Sequence, residues 1–118
     1  MWGTCGQEPQ WCSFQHLNLQ NLEYEGVYII WHDGTAQNNV AETVRIGQGI
    51  ISQRIATHRN DDVITAYAVR GSLRVTWAAV AGRARRLGIE RYLADELDPL
   101  VGEYPDVRPI PVNLPWAR

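Results

Sequence analysis

With 118 residues, 45% of them hydrophobic, the chain is long enough for one core and too short for two ordinary domains. Its net charge of -2 excludes a uniformly basic nucleic-acid binder, and no stretch of the sequence approaches the roughly 18 apolar residues of a membrane span. The opening MWGTCGQEPQWCSF has neither the basic nor the apolar region of an export signal, so a soluble, cytoplasmic protein is expected.

Residues 1–22 read as an N-terminal extension and residues 23–118 as a single domain. The extension is polar but holds Trp2, Trp11 and Phe14, and is expected to pack on the domain. Its two cysteines, Cys5 and Cys12, could pair, bind zinc with His16 as a third ligand, or remain reduced. The spacing is wider than zinc sites favour and no fourth ligand is evident, so reduced thiols are the expectation.

An apolar run over 26–32, GVYIIWH, predicts a buried strand that nevertheless contains the phenol of Tyr28 and the imidazole of His32. His32 adjoins a turn and is expected to be exposed at the strand end. After the turn-forming DGTAQNN, the alternating AETVRIG (41–47) predicts a second strand, antiparallel to the first. In GIISQRIATHRNDD (49–62), Ile51 and Ile55 form a buried stripe, Arg54 and His58 project together at i,i+4, and NDD ends the helix. LRVTWAAV (73–80) buries Leu73, Val75, Trp77 and Ala79 along one face of a strand. GIERYLADEL (88–97) returns to helical period and stops near Asp98, because Pro99 disfavours continuation.

That last helix contains an anomaly. On a wheel of about 100° per residue with Ile89 at the origin, Leu93, Leu97, Val101 and Ala94 span roughly 40° to 140°, and Glu90 falls at about 100°. Arg91, Asp95 and Asp98 lie on the polar side and Glu96 near the apolar edge. A carboxylate inside an apolar face requires a partner, either an arginine or a hard divalent cation such as magnesium.

Charge is segregated along the chain. Residues 1–44 contain no Lys or Arg and five acids; residues 45–91 hold nine arginines against Asp61, Asp62 and Glu90; residues 92–118 are again acidic. A basic middle is either a phosphate footprint or a solvated face balanced by the acidic ends.

The order of these pieces resembles the GIY-YIG nuclease superfamily over most of residues 25–113. GVY (Gly26, Val27, Tyr28) stands for the first motif and RIG (Arg45, Ile46, Gly47) for the second, where the family usually has Tyr-Ile-Gly. GQGIISQRIATH places Arg54 at the catalytic arginine and His58 at the accompanying His or Tyr. IERYLADELDP places Glu90 at the metal-binding Glu, with Pro99 nine residues on, and PVNLP places Asn113 at the closing Asn after a longer interval than usual.

The resemblance implies a small α/β (α+β) fold, a three-stranded, mainly antiparallel sheet flanked by helices. It also implies hydrolysis of DNA phosphodiesters with one divalent ion, Mg2+ or Mn2+, held by Glu90. Tyr28 would relay a proton, assisted by His58, and Arg54 would steady charge on the phosphoryl oxygens. Arg45, Gly47 and Asn113 would position substrate or neighbouring groups. Arginine at position 45 cannot serve as a base, which leaves a catalytically degenerate, nucleic-acid-binding module as the alternative. Family nuclease domains are often joined to DNA-reading modules; none is visible here, so selectivity would come from a DNA structure, a homodimer or a separate partner.

Overall fold

The computed structural model describes residues 2–7 and 10–116, so the charges of Glu8 and Arg118 lie outside the described residues. Its elements in chain order are β1 (Cys12–Ser13), β2 (Glu25–His32), β3 (Glu42–Ile50), α1 (Ile51–Arg59), α2 (Asp62–Thr65), a 3-10 turn (Ala66–Arg70), β4 (Leu73–Ala79) and α3 (Arg83–Leu97). The four strands form one antiparallel sheet in the order β1-β4-β2-β3. This is the small α+β fold expected, with a fourth, two-residue strand supplied by the extension.

The continuous apolar run of β2 follows from its place at the centre, covered on both faces. Side chains alternate across a strand. Tyr28 and Ile30 therefore face Ile51 and Ile55 of α1 together with Phe14 and Leu22 of the extension, while Val27, Ile29 and Trp31 face Ile89 and Leu93 of α3. Each fully buried aliphatic side chain contributes about 1.5–3 kcal/mol relative to exposure. Gly26 is required by the same crowding, because a Cβ there would strike the Ala78 carbonyl on β4.

The extension is fastened by several devices. Phe14 is fully buried, and Arg59 donates from Nε to the Phe14 carbonyl (2.8 Å) and from a terminal nitrogen to the Leu17 carbonyl (2.7 Å). The first amides of α1 are satisfied at the junction of extension and domain, Ile51 N–H by the Tyr24 carbonyl and Ser52 N–H by the Leu22 carbonyl. Cys5 and Cys12 are joined in a disulfide, which corrects the expectation of reduced thiols. Pairing of Cys12 with Val75 on β4 and of Cys5 with Gln10 brings the two Cα atoms to 5.2 Å, within bridging range. Sulfurs bonded to each other are not zinc ligands, and His16 is exposed.

Three further expectations are revised. His32 is 1% exposed rather than open to solvent: its Nε2 meets Glu42 Oε1 at 2.9 Å and its Nδ1 accepts the Gly34 N–H, so the hairpin closes over it. Asp61 does more than end α1; its side chain accepts the Val63 N–H and starts α2. And α3 begins at Arg83, five residues earlier than its apolar period suggests, because its first turn is held by polar contacts. Arg86, 6% exposed, donates to Gln48 Oε1 (2.9 Å) and the Val80 carbonyl (3.3 Å) and pairs with Glu25. The end of α3 is as expected: Asp98 adopts a left-handed φ of 49° and Pro99 follows.

Candidate functional site

An open cleft of about 440 Å³ lies at the β3 edge of the sheet, lined by residues of β2, β3, α1 and α3 that include Tyr28, Arg45, Gly47, Arg54 and Glu90. Its floor is the hydroxyl of Tyr28. Gly47, opposite Tyr28 in the β2–β3 register, gives that hydroxyl its room, since a Cβ there would collide with it. His58 stands behind, 4% exposed, with Nε2 at 2.6 Å from the Tyr28 oxygen. One turn earlier on α1, Arg54 lies beside the same oxygen.

Burial holds Tyr28 above the ordinary phenol range, against the pull of Arg54 and Arg45. Burial, reinforced by Arg45 and Arg54, lowers His58 to about 4, so its ring is neutral at neutral pH. Since the ring is neutral, the consistent arrangement is a Tyr28 hydroxyl that donates to an unprotonated His58 Nε2. The neutral phenol and neutral imidazole thus form a hydrogen-bonded donor–acceptor pair that runs from the cleft to the ring.

The His58 shift has a measurable consequence. Its folded pKa of about 4 lies below the ordinary value of 6.5, so the unfolded chain takes up the proton first on acidification. Stability contributed at neutral pH is therefore lost as pH falls from about 6.5 to about 4, by up to about 3 kcal/mol. Glu90 works with the opposite sign over its own range. Chemical denaturation of wild type and His58→Gln across this window checks the point; the difference between the two curves is expected to carry the slope.

Glu90 is 8% exposed. Burial raises its carboxyl above the usual carboxylate range, while Arg45 and Arg54 pull it down. Neither arginine is close enough to pair with it: among the described residues Glu90 makes no ion pair within 4.0 Å and no hydrogen bond. The direct salt bridge weighed against a cation is thus absent among the described residues. No group of three or more His, Cys, Asp or Glu among them could hold a metal. The donor set fits a hard divalent ion that takes one carboxylate, waters and substrate phosphate oxygens, and does not fit a zinc cage.

Arg45 lines the same cleft. Its Nε is buried with no hydrogen-bond partner, and its guanidinium packs on Gly102, whose φ of 108° and close approach both favour glycine. Sequence reasoning missed Tyr104, which walls this corner: its hydroxyl accepts the Ile46 N–H (3.1 Å) and donates to the Val101 carbonyl (2.8 Å). Nothing in GEYPD marks that tyrosine beforehand. Asn113 lies apart from the cleft; its carbonyl accepts the Trp2 indole N–H at 2.8 Å beside Val112 and Ile89.

Much of the basic middle segment has structural work. Arg59 and Arg86 are anchors, and Arg70, Arg74 and Arg91 pair with Glu42, Asp33 and Asp95. Arg45 and Arg54 are the two that line the cleft. No protein-family model, curated protein or solved structure matches this chain.

Proposed function

We propose that the chain is a divalent-metal-dependent endonuclease that hydrolyses DNA phosphodiesters in the cleft between β3, α1 and α3. The observation that carries this reading is a largely buried carboxylate, Glu90, without an ion pair among the described residues, in one cleft with the hydrogen-bonded Tyr28–His58 pair and two arginines. Substrate phosphate would lie against Arg45 and Arg54, which take up charge developing on its non-bridging oxygens. Tyr28 would accept a proton from water as it gives its own to His58; the water oxygen bonds to phosphorus and the opposite P–O bond breaks, its oxygen taking a proton from solvent. Glu90 would hold Mg2+ or Mn2+, which when bound would supply Lewis acidity toward the phosphoryl group.

The test is incubation of purified protein with supercoiled, linear, branched and single-stranded DNA in Mg2+ or Mn2+, with and without chelator. Strand breaks that need the ion are expected. Cleavage undiminished in excess chelator, or none on any of these DNAs, counts against the reading.

Arg45 supports a second reading, a module that binds nucleic acid without cutting it. Binding would then persist in chelator and weaken steeply with salt as phosphates are neutralised. Specificity under either reading comes from a DNA structure, a second copy or a DNA-reading partner. In the cytoplasm, the location the sequence suggests, the Cys5–Cys12 bridge would stand reduced. The extension would then rest on Phe14, Arg59 and the β1–β4 pairing. No helix among the described residues is long and apolar enough to cross a membrane.

A further inference from the structure

On the α3 face of the sheet three indoles meet. Trp31 of β2 lies 4.8 Å from Trp116 of the C-terminal segment, at 57°, and 5.5 Å from Trp11 of the extension, at 84°. Trp11 and Trp116 are 5.9 Å apart at 81°. Together they form adjoining walls of an open cavity of about 600 Å³ that shares no lining residue with the Tyr28–Glu90 cleft. Core packing accounts for the buried Trp31 but leaves Trp11 and Trp116 with part of their surface exposed.

Of the other lining residues, four are acidic and none is basic. Glu96 and Asp98 come from the C-terminal end of α3, where unpaired carbonyls carry partial negative charge and ordinarily recruit Lys, Arg or His. The last turn of α3 holds no basic residue. Asp33 and Glu42 also line the cavity, each in an ion pair with an arginine that does not, Arg74 and Arg70.

We infer that this cavity binds an organic cation of the alkylated-ammonium class, through cation–π contact with the indoles and the negative end of α3. The four carboxylates are spread around the cavity and not gathered into a group of three or more that could hold a metal among the described residues. A planar guanidinium stacks flat on one ring. Walls near right angles instead fit a rounded head whose methyl groups touch each face, and alkylation spares the strong hydration a bare ammonium must lose. The site stands apart from the nuclease reading and does not depend on it.

The experiment is a titration of the intact protein with choline, followed through the indole N–H NMR signals of its five tryptophans. Saturable shifts of Trp11, Trp31 and Trp116 are expected, with Trp2 and Trp77 unmoved. The neutral isostere 3,3-dimethyl-1-butanol should bind roughly tenfold more weakly. Trp116→Ala should lower choline affinity roughly tenfold. Asp98→Asn should lower it several-fold while keeping the helix end, since asparagine tolerates the left-handed φ of 49° there. Equal binding of the neutral isostere, tighter binding of methylguanidinium, shifts spread over all five indoles, or no saturable shift at tens of millimolar choline would overturn the proposal.

Discussion

Glu90→Ala is expected to lower single-turnover DNA cleavage by about a thousandfold or more while the far-ultraviolet spectrum stays native. The magnitude follows from losing a Lewis acid worth several kcal/mol at the transition state. The fold is spared because Glu90 makes no ion pair or hydrogen bond among the described residues whose loss would strand a buried partner. Stability is expected to be kept, since burial of that carboxyl is itself unfavourable. Glu96, six residues further along α3, provides the control: it lines the tryptophan cavity and not the cleft, so Glu96→Ala should retain cleavage within a few-fold. A larger loss at Glu96 than at Glu90 would mean that the ion is held elsewhere.

Tyr28→Phe separates chemistry from packing at the centre of the sheet. The ring is fully buried and stays in place, so the structural cost is one hydrogen bond to His58 and an imidazole nitrogen left without its partner, about 1–3 kcal/mol. If the hydroxyl relays the proton, cleavage should fall roughly a hundredfold or more, with DNA affinity unchanged. Thermal midpoint and single-turnover rate measured on one preparation read both quantities. A variant that loses stability but cuts within a few-fold of wild type assigns Tyr28 to the core alone.

The cleft was more legible in the sequence than the fold around it, for reasons that differ residue by residue. Arg54 and His58 declare their common face by i,i+4 spacing, and Glu90 declares itself by breaking an apolar stripe; both signals are local. The burial of His32 is not local, because it depends on Glu42 across a hairpin whose register carries a bulge near Ile30 and Trp31. Likewise the first turn of α3 has no apolar period to read, being held by Arg86 against Gln48 and Glu25. The Cys5–Cys12 bridge depends on β1 finding the edge of β4, a contact between segments some 60 residues apart. Gly26 and Gly47 are glycines for different reasons: a carbonyl crowds the first, and the tyrosine hydroxyl crowds the second.

Arg45 is where local reading and structure bear most directly on each other. The basic residue at position 45 lines the cleft with Arg54, while its Nε is buried behind the cleft wall without a hydrogen-bond partner. Under the nuclease proposal, contact with phosphate would come from the cleft-facing part of its guanidinium, and proton transfer would fall to Tyr28 and His58. The most direct measurement of the account is nicking of supercoiled DNA in Mg2+ by wild-type and Glu90→Gln proteins, purified in parallel and assayed across their gel-filtration peaks. The account predicts nicking that follows the wild-type peak and is absent from the variant's; equal nicking across both peaks, or none in either, would contradict it.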